Sequence, residues 1–315
     1  MTIESNPGVP EHFARTIVDL GGDAGATWLR NLPQLMAEYE RRWSITVGAP
    51  YTLSYNYVAP ATRHDGTLAV LKLGLPDGEA EDQTPALRHY AGHGMARLLE
   101  AEPERGAMLL ERLEPGTMLA TLVPTDDARA TTIAAEVIRD LWQGPGGGAP
   151  PAGHPFQSID DWAAGMGRMR AHFGGGTGPF PRALVEEAEA LFADLLASQG
   201  APVLLHGDLH HDNILAAQRA PWLAIDPKGI VGERAYEVGA LLRNPLPQLF
   251  QLPNPGQATA RRVAQLSEEL GLDRARVRGW GLAQAVLSAW WSVEDHGHGW
   301  EGAIACAELL AAVKV

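Results

Sequence analysis

The sequence predicts an α+β protein of two lobes. A small, mainly β lobe with a helical N-terminal extension covers residues 1–112, and a larger, mainly α lobe covers residues 113–315. Three observations carry this. The chain has 315 residues, enough for about two domains. Apolar residues alternate with polar ones in 51–75 and again on both sides of the turn at 103–106, the period of a half-buried strand. From Thr117 onward apolar residues recur at helical spacing, and the switch falls at the turn-forming run 111–116.

Taken in order, residues 11–43 are expected to be helical. Leu29, Leu32, Leu35 and Met36 form an apolar stripe after Thr27 and Trp28, and the segment is placed as an extension lying against the first lobe. Two strands in 51–75 are joined by a turn at His64-Asp65-Gly66. Residues 79–91 are helical despite Pro85. A hairpin then surrounds Pro103-Glu104-Arg105-Gly106.

In the second lobe, Thr125-Asp126-Asp127 opens a helix with Ile133, Val137 and Leu141 on its apolar face. Residues 144–155 form a Gly/Pro loop with no strand leading into it. Ser158 and Asp161 make a capping box for a helix ending near Phe173. Leu184, Ala188, Leu191 and Leu195 mark the next helix, stopped by Gly200 and Pro202. Val263, Leu266 and Leu270 mark another, closed by Gly271. Asp273 caps a long helix reaching Glu294, and a last helix covers about 300–313.

Composition narrows the function classes. With 45% hydrophobic and 20% charged residues, the chain is an ordinary globular one. No apolar run approaches the ~20 residues a membrane span needs. The first residues lack the basic and apolar regions of a secretory signal, and the single cysteine, Cys306, excludes an internal disulfide, so the cytoplasm is the expected compartment. A formal net charge of −13 without a long Lys/Arg run argues against nucleic acid; it would attract a cationic small molecule, but taken alone it is better read as keeping the protein soluble. No repeat of 20–50 residues is present. The chain is expected to be a monomer or a homodimer.

The chemistry concentrates in residues 203–229. The short apolar strand 203–205 leads into His206-Gly207-Asp208. Asn213 follows Asp208 by five residues, and a second strand at 222–225 delivers Asp226 thirteen residues later. In phosphoryl transfer from a nucleoside triphosphate the protein mainly positions groups and neutralises charge. One carboxylate orients the attacking hydroxyl and accepts its proton, as Asp208 would. Hard oxygen ligands hold Mg²⁺, as Asn213 and Asp226 would. The five-residue spacing is that of a kinase catalytic loop. Gly207 stands where protein kinases carry Arg, and Asp226-Pro227-Lys228 replaces Asp-Phe-Gly, which points away from phosphorylation-controlled protein kinases.

Six segments extend the match: SYNYVAPA at 54–61, GTLAVLKLG at 66–74, LLERLEPGT at 109–117, LLHGDLHHDN at 204–213, LAIDPKGIVGERAYEVGALLRNP at 223–245 and LSAWWSVEDHG at 287–297. Together they resemble the aminoglycoside phosphotransferase-like kinases, closest to the streptomycin 6-phosphotransferase and hydroxyurea phosphotransferase family. The resemblance spans about residues 50–297 and implies a protein-kinase-like fold. It makes the first lobe nucleotide-binding, gives ATP (with GTP not excluded) and Mg²⁺ as cofactors, and places the nucleotide between the lobes. Lys72 would contact the α/β phosphates. Residues 111–113, with Glu111 and Leu113 at their ends, would form the adenine hinge. Ser54 and Asn56 would lie near the phosphate-covering loop, and His210 would either touch the γ-phosphate or serve structure.

The acceptor, expected to be an aminoglycoside such as streptomycin or else another sugar or amino sugar, would meet the second lobe. Glu294 and Asp295, two carboxylates where a helix C-terminus disfavours them, are its candidate seat, with Trp291, Lys228 and Glu233. One departure stands out. The helix glutamate that usually pairs with the kinase lysine falls at Gln83, with Glu79 and Glu81 nearby, so either the register shifts or the ion pair is absent. That departure supports a nucleotide-binding pseudokinase as one alternative; a protein that only sequesters a cationic sugar, through residues 291–295, is another. A transition-metal site from His206, His210, His211, Asp208 and Asp212 is disfavoured, because a zincin-type His pair needs a helix and a Glu after the first His. His206 is read as a brace for the loop, and Arg243-Asn244-Pro245 as structural.

Overall fold

The structure, a computed structural model, describes residues 9–76, 79–144, 148, 150 and 152–315. The chain divides into two compact units. One comprises the residues up to Gly92 together with Ala96–Arg112; the other comprises His93–Met95 and Leu113–Val315.

The first unit is built on a five-stranded antiparallel sheet. Its strands are β1 (Ile45–Val47), β2 (Tyr57–Arg63), β3 (Leu68–Leu73), β4 (Leu98–Glu102) and β5 (Ala107–Glu111), in the spatial order β1-β2-β3-β5-β4. The β2–β3 turn closes as its residue types dictate: Gly66 takes φ 89°, and Asp65 Oδ1 accepts from the Thr67 amide at 2.9 Å. Residues 51–56, expected to begin a strand, precede β2 instead. β1 is a three-residue strand, too short for its own periodic signal.

Helix α1 (Glu11–Arg42), broken at Gly22 where φ is 53°, is more than an extension. Its Phe13, Ile17, Trp28, Leu29, Leu32 and Tyr39 share one apolar core with Ala59, Ala61, Ala69, Leu71, Leu73 and Leu109 of the sheet. The other amphipathic helix, α2 (Glu79–Tyr90), runs through Pro85 unbroken. Lys72 lies between Leu71 and Leu73 on the central strand β3, so the two-residue period points it to the opposite face from those core leucines. It is 5% exposed, so it does not face water as an edge lysine would.

The second unit is mainly helical. α3 (Val123–Gln143) is interrupted at Asp126, whose φ of −152° is non-helical and whose Oδ1 caps the continuing turn by accepting from the Arg129 amide at 2.9 Å. Part of the 144–155 loop falls on residues 145–147, 149 and 151, outside the described residues. Strand β6 (Gln157–Ser158) leads into α4 (Ile159–His172), whose capping box is complete. α5 (Arg182–Ala197) follows. Strands β7 (Val203–Leu205), β8 (Ile214–Ala216), β9 (Trp222–Ala224) and β10 (Ile230–Gly232) make two small sheets, β6-β10-β7 and β8-β9.

The short helices α6 (Gly239–Arg243) and α7 (Gln248–Gln251) precede α8 (Pro255–Leu270), α9 (Arg274–His296) and α10 (Glu301–Ala311). α9 is the central helix: Trp280, Leu282, Val286, Leu287 and Trp290 are all buried. Asp273 caps it through the Arg276 amide, and Gly271 ends α8 in the left-handed conformation. No helix among the described residues is long and apolar enough to cross a membrane.

Candidate active site

The site in the second unit grows from β7. Val203, Leu204 and Leu205 are all buried, which anchors the loop that follows. Gly207 takes φ 85°, and a Cβ there would stand 2.8 Å from Ile230 Cγ2, so only glycine fits the turn that delivers Asp208. Two buried side chains hold that turn. Glu237 accepts from the His206 amide at 2.8 Å and the Gly207 amide at 3.1 Å. His206 Nε2 donates to Ile225 O at 2.8 Å, and its Nδ1 accepts from the Asp208 amide at 3.3 Å. Those partners define the neutral tautomer. Burial pushes the His206 pKa down to about 4 and that of Glu237 up to about 7, the latter against the pull of its two amides. His206 is thus a brace, with both ring nitrogens engaged. No His/Cys/Asp/Glu cluster able to hold a metal occurs among the described residues.

The β8–β9 hairpin brings the other two polar groups together. Ile214 pairs with Ala224, so Asn213 and Asp226 leave the same end of the hairpin, and the Ile225 amide donates to Asn213 O at 2.9 Å. Asn213 Nδ2 donates to Asp208 O at 2.9 Å, which fixes the amide. Asp226 sits at φ 64°, a left-handed conformation that Asp tolerates better than most residues. One amide oxygen and one carboxylate fit a hard cation that keeps much of its water, and do not fit a soft one.

Asp208 itself carries a contact that the sequence reading missed. Arg243 Nη2 donates to Asp208 Oδ1 at 3.1 Å, so Arg243 does more than structure. It is buried at the end of α6, and its backbone is held in turn by Arg262, which donates to Leu241 O at 3.1 Å and to Asn244 O at 2.6 Å. The only hint in the sequence was a basic residue within the matching segment 223–245. His210 Nδ1 accepts from the Asp212 amide at 3.2 Å and caps the 3₁₀ turn His211–Asn213, while its Nε2 lies 3.8 Å from Asp208 Oδ2, beyond hydrogen-bonding reach.

A cavity of about 490 Å³ opens beside Asp208 within the second unit. It is lined by Gln157, Asp161, Trp162, Arg168, Asp208, Lys228, Arg243, Ser288 and Trp291. Trp291 and Lys228, expected at the acceptor, are there. The other expected residues are not in its lining. Glu294 is tied to Arg168 by two bonds of 2.7 and 3.0 Å, which answers its placement at a helix C-terminus without a bound cation. Asp295 is exposed on the same last turn. Glu233 is buried and accepts from Arg276 Nη2 at 2.7 Å and from the Trp280 indole, and so belongs to the packing of α9.

In the first unit, Lys72 Nζ donates to Gln83 Oε1 at 2.9 Å. The glutamine occupies the position expected for the paired glutamate and accepts from the lysine there; the Glu79 side chain lies outside the described residues. Asn56 packs its amide against Gly74, where a Cβ would come within 2.3 Å of Oδ1, and Ser54 is exposed in the same segment before β2. Glu111 closes the end of β5 by exchanging hydrogen bonds with Arg97, its amide donating to Arg97 O at 2.8 Å and its carboxylate accepting from the Arg97 amide at 3.0 Å. Leu113 is buried at the start of the second unit's main segment.

A β-sheet unit with a buried strand lysine, and a helical unit with the Asp208–Asn213–Asp226 set, define a small-molecule phosphotransferase of the protein-kinase-like fold. Solved structures of that fold align over nearly the whole chain. Aminoglycoside phosphotransferase APH(4)-Ia, in a complex with ADP and hygromycin B, matches with a TM-score of 0.63 at 17% identity, covering 90% of this chain and 97% of that one. A choline/ethanolamine kinase family protein from Mesorhizobium loti matches with a TM-score of 0.66 at 15% identity, covering 90% and 95%. The chain belongs to the aminoglycoside/hydroxyurea antibiotic resistance kinase family, whose profile matches residues 42–296. It is 34% identical over 289 residues to streptomycin 6-kinase of Streptomyces glaucescens, covering 91% of each chain. It is 35% identical over 296 residues to hydroxyurea phosphotransferase of Kitasatospora aureofaciens, covering 91% of this chain and 81% of the other.

Proposed function

We propose that the protein transfers the γ-phosphate of ATP, in a Mg²⁺-dependent reaction, to a hydroxyl of a cationic small molecule, with an aminoglycoside such as streptomycin as the first acceptor to test. One observation carries the reading. Asp208 lines a ligand-sized cavity with one carboxylate oxygen held by Arg243 and no hydrogen bond on the other among the described residues.

In the reaction, Asp208 orients the acceptor hydroxyl and takes its proton. The acceptor oxygen forms a bond to the γ-phosphorus as the bond to the β–γ bridging oxygen breaks, and ADP leaves. Lys72 steadies the α/β phosphates, kept extended by Gln83. Asn213 and Asp226 are the residues that would hold Mg²⁺, which when bound supplies charge neutralisation on the phosphate oxygens. The cytoplasm is the proposed compartment, in keeping with the buried free thiol of Cys306. A second reading, a kinase of an uncharged sugar, draws on the three cations in the cavity wall, Arg168, Lys228 and Arg243.

The test is transfer of radiolabelled γ-phosphate from ATP, or from GTP in a parallel arm, to streptomycin, hydroxyurea and plain sugars. Asp208→Ala should bind ATP as the wild type does and lose transfer by several orders of magnitude. Wild-type-like turnover in that variant would sink the assignment. Turnover of a plain sugar with none of streptomycin would favour the second reading.

A further inference from the structure

The cavity beside Asp208 has a directional chemistry of its own. Its aromatic part is a corner. The rings of Trp162 and Trp291 meet edge to face, with centroids 5.1 Å apart and planes at 88°. Trp162 is pinned: its Nε1 donates to Gln157 Oε1 at 2.7 Å, and its far edge lies against the loop at Gly207, one residue before Asp208. Trp291 stands one turn beyond Ser288 on α9. Both indoles are half-buried, with area left over for a ligand.

The charges in the wall are not equivalent. Asp208 is bound to Arg243, and Arg168 is bound to Glu294, so these cations and carboxylates answer each other. Asp161 differs. Its Oδ2 accepts from the Ser158 amide and hydroxyl at 2.7 Å each, and those hydrogen bonds hold its carboxyl below the usual range. It makes no ion pair among the described residues, its Oδ1 carries no hydrogen bond among them, and the side chain is open to solvent. An ionised carboxylate, oriented by a capping box and adjoining two indoles, is what a guanidinium or ammonium group recognises.

Resting on the phosphotransferase reading above, we infer that Asp161 with Trp162 and Trp291 forms the specificity seat for the acceptor. It receives a cationic nitrogen substituent of a saturated hydroxylated ring, whose C–H face lies on the indole corner while a hydroxyl of the same ring meets Asp208. Asp161, rather than Glu294 or Asp295, reads the positive charge.

Calorimetric titration with streptomycin, whose ring guanidinium groups are the probe, tests this. Asp161→Asn keeps an oxygen for the Ser158 cap and removes the charge; it should weaken streptomycin binding about tenfold and leave ADP affinity unchanged. Trp291→Ala should weaken it by a similar factor through loss of the ring and cation contacts. Glu186→Gln, which removes one exposed charge on α5, should bind streptomycin as the wild type does. Equal streptomycin affinity in Asp161→Asn and wild type overturns the seat, as does a wild type that binds none. A wild type that binds streptomycin with this pattern, yet transfers no phosphate to it, supports the seat and overturns the phosphotransferase reading alone.

Discussion

At the residue scale, the loop around Asp208 is held by groups whose charge states are set by burial. His206 is fully buried and neutral, His211 is fully buried with its pKa pushed well below the ordinary value, and Glu237 is pushed up to about 7. The signs oppose. A buried neutral histidine contributes stability that is present above the unfolded pKa near 6.5 and is lost as pH falls toward the folded value. For His206 that loss amounts to roughly 3 kcal/mol between pH 6.5 and 4. Glu237 acts the other way: its folded pKa is raised, so its contribution is lost as pH rises from about 4.5 to 7. Two histidines outweigh one glutamate, and unfolding free energy should rise with pH between about 4.5 and 6.5. Denaturant melts across that range check it. Glu237→Gln should steepen the rise, because the opposing titration is gone; an unchanged slope would show that Glu237 does not titrate there.

The same scale explains Lys72. A pairing glutamate was missing from the sequence pattern, which left the pseudokinase alternative open. The 2.9 Å bond from Lys72 to Gln83 gives the ammonium a neutral partner in the same place. A charge-assisted hydrogen bond to an amide is enough to orient a lysine.

At the scale of elements, the segment bearing Arg243 is positioned by a buried ion pair between α3 and α8. Arg262 is 1% exposed and holds Asp127, also buried, with Nη2 to Oδ1 at 2.5 Å, while Nη1 binds the carbonyls of Leu241 and Asn244. Asp127 therefore does more than complement a helix dipole. Arg262→Met should destabilise the protein by about 3–5 kcal/mol, since it leaves a buried carboxylate with less compensation, although Arg261 also reaches Asp127. The double variant Asp127→Asn/Arg262→Met should recover part of that loss. Chemical denaturation of both variants decides it, and a double variant no more stable than the single one would refute the ion-pair explanation. The capping box at Ser158 shows how one local device serves twice: it starts α4 and fixes the carboxylate of Asp161 at the cavity.

For the molecule as a whole, the net charge of −13 acts at long range. It raises the local concentration of a cationic acceptor and is screened over about 8–10 Å at ordinary ionic strength. The kcat/KM for a cationic acceptor should therefore fall as salt is raised from 20 to about 300 mM, while that for an uncharged acceptor stays flat. Stopped-time assays with both acceptors measure this, and parallel salt curves would remove the steering argument. Charge of this kind cannot say where on the surface the acceptor binds. Nor could the sequence show that Glu294 pairs with Arg168 and Glu233 with Arg276.

Read by itself, the sequence determined the two-lobed α+β fold and its helix caps at Ser158 and Asp273, and it singled out Asp208, Asn213 and Asp226 as candidates. Each of these rests on local periodicity, on capping chemistry or on spacing within one short loop and hairpin, which a single stretch of chain contains. Tertiary structure decided the rest. It turned α1 from an extension into half of a core, made Arg243 the partner of Asp208 across 35 residues, and paired Arg168 with Glu294 across 126. It also put Asp161, Trp162 and Trp291 on one cavity wall. Those pairings depend on which helix faces pack together, and hydrophobic periodicity says that a face is buried without saying which polar group waits opposite it.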